Sequence, residues 1–293
     1  MGAREGPPRS EPLTDGVIMN PNQMSTHRSA EALIRNHSFR FGRTFTMALL
    51  VVIAAAGCSK NDSPTQPASG PQATVVSATG DIATKVADFR TLLGDPSNGG
   101  TAGQQPAGRR EVNWDGAGAR PFNNQNGFPL DFFNNNVKAG LLYDGGTFRN
   151  DSTQFVDLNP TYANEFKPFS PKLMFSAVGS NVIDAVFRVA GDATPAGVTG
   201  FGAVFSDVDL DNTSSIELFD KDGHSLGRFF APRRSDANGL SFVGAKFDAA
   251  IVARVKLTCG NGALGAGVND VTDGGTLDLV VVDNFIYGEP KAF

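Results

Sequence analysis

The sequence predicts an all-β protein, a single antiparallel β-sandwich of jelly-roll type carrying one short N-terminal helix. Three observations lead there. Between Gly200 and Gly288, runs of apolar, β-branched and aromatic residues alternate with Asp-Gly, Asn-Gly and Gly-Gly punctuation, the pattern of consecutive antiparallel strands. The stretch 251–259 is the clearest: Ile251, Ala253, Val255, Leu257 and Cys259 share one face, and Arg254, Lys256 and Thr258 the other. Between the apolar runs 216–219 and 226–230 lies Phe-Asp-Lys-Asp-Gly, where Gly223 can take a positive φ without steric penalty and so close a hairpin. No repeat of solenoid or propeller period is visible.

Taken in order, the chain opens with a segment that does not belong to the fold. Arg35, Arg40 and Arg43 precede an apolar run from Met47 to Ala56, followed by Gly57 and Cys58. A basic stretch, a short apolar stretch and small residues before a cysteine form the pattern of a bacterial lipoprotein signal peptide. The run is about half the ~20 residues that a membrane-spanning helix needs. Residues 1–57 are therefore read as leader, and Cys58 as the acylated residue that inserts its lipid into a bilayer. The expected address is the cell envelope, the outer membrane being favoured because Ser59 follows Cys58, with secretion as the alternative. Residues 58–79 begin SKNDSPTQPASGPQ after the cysteine and read as a polar tether; residues 80–290 read as the sandwich.

The one helical pattern follows the tether. Ile82, Val86, Phe89 and Leu93 recur at helical spacing, Asp81 can cap the start and Gly94 can end the helix. The helix is expected over one end of the sandwich, and the Gly/Asn/Pro/Gln-rich stretch 95–108 is expected to be a mobile loop. Residues 58–293 hold 19 Lys and Arg against 26 Asp and Glu. That acidic balance, without a basic stripe, argues against nucleic acid as a partner. With Cys58 lipidated, Cys259 has no disulfide partner; on an apolar strand face it reads as a buried, inert thiol.

Several blocks then occur in order: RREVNWDG, GFPLDFFNNN, GFGAVFSDVDL, SSIELFD, LSFVG and VVVDNFIYGEP. Together they resemble a large group of secreted, mostly uncharacterised bacterial β-sandwich proteins, over nearly all of 80–290. The resemblance implies the fold and the export but no activity. In two places the chain departs from the group: Asn284 stands where a second aspartate is frequent, and NNNVKAG replaces a Ser-Pro-Arg-Gly-like block. The closing LDLVVVDNFIYG also resembles the last strand of jelly-roll carbohydrate-binding modules. That likeness implies a structural calcium ligand at Asp283.

The residues themselves offer one cation site. In an extended strand Asp207, Asp209 and Asp211 share a face with Phe201, Ala203 and Phe205, and Asp283 shares one with Leu279, Val281, Phe285 and Tyr287. A carboxylate in apolar surroundings needs a cation or several hydrogen-bond donors, and an oxygen-only ligand set favours calcium over zinc. The expected metal ligands are Asp207, Asp209 and Asp283; the alternative is that these carboxylates cap turns at strand ends. The twelve-residue EF-hand loop is excluded, because Asn212 would occupy its glycine position and Leu218 its glutamate.

Catalytic patterns are missing from the sequence. The only histidine after Cys58 is His224, in a turn, with no nucleophile elbow nearby, and no HExxH, CxxC or Walker motif occurs. The expectation is a non-enzymatic binding module, with carbohydrate as the ligand class. Its expected contacts are Trp114, Asn124, Asn126 and Asn135, since aromatic faces stack on sugar rings and amides bond their hydroxyls. For Phe122, Phe128, Phe132 and Phe133 the competing reading is core anchorage. A structural or adhesive surface protein that binds another protein is the alternative function, and a hydrolase ranks behind both.

Overall fold

The computed structural model describes residues 70–234, 236 and 238–293. The expected leader 1–57, Cys58 and the expected tether up to residue 69 lie outside the described residues. In chain order the elements are β1 (Thr74–Thr79), α1 (Ala83–Leu93), β2 (Arg109–Val112), α2 (Phe132–Asn135), β3 (Leu141–Tyr143) and β4 (Phe148–Asp151). There follow β5 (Met174–Ala177), β6 (Val182–Phe187), β7 (Ala196–Gly197), β8 (Gly200–Ser206) and β9 (Ser215–Phe219). The last are β10 (Ser225–Phe230), β11 (Leu240–Lys246), β12 (Arg254–Thr258), β13 (Val281–Gly288) and β14 (Lys291–Ala292).

These strands build the antiparallel all-β sandwich. One sheet runs β1-β11-β8-β13-β5-β4 with β2 also on β13, the other runs β10-β9-β12-β6-β3, and β14 pairs with β7. The fold reaches past both expected ends. Thr74–Thr79, read as tether, is a strand in full register with β11, and Lys291–Ala292 pairs with 196–197. α2 is a single helical turn inside a stretch that reads as loop.

The core between the sheets forms because each strand turns alternate residues inward. In β12, Val255 and Leu257 are fully buried, and Cys259 joins the same cluster just beyond it. Trp114 stacks on Phe175 at 4.4 Å and meets Phe133 and Phe285 edge-on, so its ring is a core element. Phe128, Phe132 and Phe133 are buried with it.

α1 lies on the outer face of the larger sheet, against β1, β11 and β13, rather than over an end of the sandwich. The reason is a seat of two glycines. A Cβ on Gly202 or Gly244 would come within 2.8 Å of the Phe89 ring, so only glycine lets that ring reach the sheet. Ile82, Val86 and Leu93 bury alongside, with Val204, Phe242 and Ile286 beneath them. Gly94, at φ +102°, ends the helix with its N–H on the carbonyls of Arg90 and Thr91. Asp81 adds only a long 3.4 Å contact from the Ala83 N–H, and the Ncap position itself is Ile82.

The loop 95–108, expected to be mobile, is tied down by a buried ion pair. The Arg110 guanidinium meets both oxygens of Glu289 at 2.8 Å and also donates to the carbonyls of Gly99, Thr101 and Gly103. Glu289 accepts further bonds from Asn98 and from the Gln105 N–H. With every donor and acceptor engaged, this is the arrangement that makes a buried charge pair tolerable.

Candidate metal centre

A third apolar cluster sits at the end of the sandwich where β8 leaves the larger sheet. It consists of Phe155, Tyr162, Phe166, Met174, Leu264, Leu279 and Val281, and two long segments, 152–168 and 261–278, fold over it. Their local geometry follows from turn chemistry. Asn159 caps the 3₁₀ turn Pro160–Asn164 by accepting from the Thr161 N–H at 3.2 Å, with Pro160 pre-set in the first position. Tyr162 and Asn159 then reach across to the Val268 carbonyl at 2.8 and 2.9 Å, which joins the two segments.

Four carboxylates converge beside this cluster: Glu165, Asp207, Asp209 and Asp270. Each offers an oxygen, these oxygens all lie within 4.8 Å of one another, and all four residues are buried. Glu165 ends the 3₁₀ turn. Asp207 follows β8 at φ +75°, a left-handed conformation costly for a residue other than glycine, and this turns the chain out of the strand direction. Asp211 is thereby carried to the surface, where it pairs with Arg233 at 3.5 Å. Asp278 holds the turn that presents Asp209, accepting from the N–H groups of Asp209 and Leu210 at 3.1 and 3.2 Å and from the Thr213 hydroxyl. Asp270 accepts from the Thr272 and Leu279 N–H groups, both at 2.7 Å.

The hydrogen bonds do not satisfy the cluster. Thr272 has one hydroxyl proton to share between Glu165 at 2.7 Å and Asp270 at 2.9 Å. Asp207 accepts from the Asn238 N–H through one oxygen and has no partner on the other; both oxygens of Asp209 lack one. No lysine or arginine among the described residues pairs with any of the four. Burial, joined by the neighbouring carboxylates, pushes the Asp207 carboxyl up to about 10 and that of Asp209 to about 7. Burial likewise raises Glu165, against the pull of the Thr272 hydroxyl. Negative charge, unpartnered oxygens and mutual spacing together let this site hold a metal ion. Two oxygens on opposite sides of a calcium ion, at ~2.4 Å each, stand about 4.8 Å apart.

Of the residues expected as ligands, Asp207 and Asp209 are in the cluster and Asp283 is not. Asp283 pairs with Val204 in the β8–β13 register, three residues back along β8 from Asp207, or roughly 10 Å at ~3.4 Å per residue. Its carboxylate is occupied by the N–H groups of Phe169, Ser170 and Asn284 at 2.7, 2.9 and 2.7 Å, so it fastens the 169–170 loop. A β-bulge between Asp283 and Phe285 also breaks the expected face. Val280, Val282, Phe285 and Tyr287 enter the main core, while Leu279 and Val281 turn to the third cluster.

The sequence reading missed Glu165 and Asp270. Asp270 carries a weak local signal, the Asp-Val-Thr turn in which its carboxylate bonds the Thr272 N–H; Glu165 carries none. The expected sugar contacts do not assemble. Trp114 is enclosed in the core, and Asn124, at φ +58°, spends its amide oxygen on the Ser152 N–H at 2.9 Å. Asn126 is exposed, and Asn135 is exposed with its amide on Asp131.

Neither a protein-family model nor a curated protein matches the chain. Among solved structures, the enzymatically active domain of tailspike protein 4 of bacteriophage CBA120 is similar over 61% of this chain, with 14% identity and a TM-score of 0.25. This chain spans about a fifth of that one, 21% of its length.

Proposed function

We propose that the protein is a calcium-stapled, non-catalytic binding module of the bacterial cell envelope, with carbohydrate as its ligand class. One observation carries the calcium: a buried cluster of oxygen donors in which neither carboxylate oxygen of Asp209 has a hydrogen-bond donor. Calcium takes six to eight oxygens at about 2.3–2.6 Å in flexible geometry, which suits three carboxylate-bearing segments of unrelated conformation. The ion would draw together 152–168, the end of β8 and 261–278, and its binding would release the protons that burial holds on Asp207 and Asp209. Support for the envelope address is the run from Arg35 to Cys58. Support for carbohydrate is the likeness of the closing strand to jelly-roll carbohydrate-binding modules, together with an Asn-rich rim at 123–126 that remains at the surface.

Two measurements test the reading. Elemental analysis of the purified protein, with melting curves in calcium and in chelator, is expected to find one tightly held calcium that raises the melting temperature. A glycan array probed with the calcium-loaded protein is expected to return a saccharide class. Identical melting curves without bound metal refute the staple, and an empty array alongside capture of a surface protein supports the adhesive alternative.

A further inference from the structure

Near the Asn-rich rim lies a cleft of about 470 Å³, bounded by the 3₁₀ turn Ala117–Phe122, the end of β4 and the segment leading into β5. Its walls include Arg120, Asn123, Ser152, Pro171 and Lys172, with Asp115 at the base of Lys172. The volume falls within the roughly 300–1,000 Å³ of small-ligand sites. Its charge is unusual for this domain, in which acidic residues outnumber basic ones.

Most cations of the sandwich are committed. Arg90, Arg109, Arg110, Arg149, Arg228 and Arg254 each pair with a carboxylate, and Lys138, Arg188 and Lys291 donate to backbone carbonyls. Arg120 and Lys172 do neither among the described residues, and they line the same cleft. The one carboxylate there is already spent. Asp115 accepts from the Lys172 and Leu173 N–H groups and from the Ser170 hydroxyl at 2.8 Å, so its oxygens serve the loop; its charge remains, and the two cations leave the cleft a net positive charge. Asn123 gives its amide oxygen to the Asn150 amide at 3.1 Å, which leaves its own NH₂ free to donate.

We infer that this cleft binds an acidic sugar residue of a polysaccharide, its carboxylate between Arg120 and Lys172 and its hydroxyls toward Asn123 and Ser152. A guanidinium and an ammonium that line one cleft from two segments complement a carboxylate, and the guanidinium can bind both of its oxygens. The cleft wall carries no aromatic ring, so charge and amide donors, rather than stacking, select the ligand. Pro171 supplies the apolar surface on which the C–H face of the ring would rest. The inference rests on the carbohydrate reading above and names its site and ligand class.

The test is titration calorimetry of the calcium-loaded protein with trigalacturonate, with its neutral methyl ester and with inorganic phosphate, repeated on Arg120→Gln and Lys172→Gln. Both side chains are exposed, so both variants are expected to fold and melt as the parent does. Trigalacturonate is expected to bind at least tenfold more tightly than its ester and than phosphate, with affinity falling as salt is raised. Either substitution is expected to weaken it at least tenfold. Equal binding of acid and ester, or unchanged binding by the variants, overturns the cleft assignment while leaving a carbohydrate module in place. Phosphate bound as tightly as trigalacturonate makes the cleft a general anion site and overturns the saccharide. No binding of the acid, with neutral glycans captured on an array, overturns the inference alone; no binding to any glycan overturns it together with the reading on which it rests.

Discussion

Replacing Asp209 by asparagine changes one atom of the carboxylate cluster and inverts its response to calcium. In the metal-free protein both Asp209 oxygens are buried without donors, beside Asp207, Asp270 and Glu165. An amide there removes the charge that Asp209 carries above about pH 7 and brings an NH₂ group to neighbouring carboxylates, a hydrogen bond worth about 1.5–3 kcal/mol. Asp209→Asn is therefore expected to melt above the parent in chelator. With calcium the order reverses. An ion that binds only the folded state adds about 2.7 kcal/mol at a hundredfold excess over its dissociation constant. At roughly 2–4 °C per kcal/mol for a domain of this size, the parent gains about 5–10 °C, and the variant, lacking a ligand charge, gains little. Melting curves of both proteins in calcium and in chelator give four temperatures, and the two pairs must cross. A variant that responds to calcium as the parent does, or a parent that does not respond, refutes the assignment of Asp209 as a ligand.

The contribution of Asp207 and Asp209 to the pH dependence of the metal-free protein has the opposite sign to ordinary acid denaturation. The native values for Asp207 and Asp209 lie above the unfolded value of about 3.9, so the folded state keeps protons that the unfolded chain has lost. The contribution of this pair should be fullest below about pH 4 and decline as pH rises through about 7, measured as the difference between parent and Asp209→Asn unfolding curves in chelator. Asp283→Ala leaves the N–H groups of Phe169, Ser170 and Asn284 without their acceptor and is expected to cost about 2–4 kcal/mol. Because Asp283 lies outside the carboxylate cluster, the denaturant midpoint should fall equally in calcium and in chelator; a loss of the calcium response would return it to the site. Cys259, whose thiol burial pushes up to about 12, should resist a thiol reagent at pH 8 in the folded protein and react on unfolding. Rapid labelling of the native state would contradict the packing at the end of β12. Cys58→Ser should move the protein from the membrane fraction to the soluble one or block its processing, and unchanged fractionation of a processed form would end the lipoprotein reading.

What the sequence by itself determined were the features written within a few residues of one another. The alternation specified which face of β12 is buried over 254–259, because side chains on a strand repeat every two residues; before Arg254 it failed, since Val252 is buried against Val198 while Ile251 and Ala253 are only half-buried. The spacing of Ile82, Val86, Phe89 and Leu93 specified the buried face of α1. The end of α1 was equally local, since Gly94 needs only its own φ and the carbonyls one turn back. The seat of α1 was not local: it depends on Gly202 and Gly244 lying side by side, which only the pairing of β8 with β11 arranges.

The tertiary structure alone decided the membership of the acidic site. Asp207 and Asp209 announced themselves by following an apolar strand, but their partners Glu165 and Asp270 lie more than 40 and 60 residues away in the chain, in segments that read as turns. Asp283, which looked equivalent, was set apart by a register that pairs it with Val204, three residues back from Asp207, and by three backbone donors that already satisfy it. A lone carboxylate in an apolar strand states that something must compensate it. Whether that is a cation or a loop of N–H groups depends on which distant segments the sheets bring within hydrogen-bonding or ligand distance, and no local pattern encodes that choice.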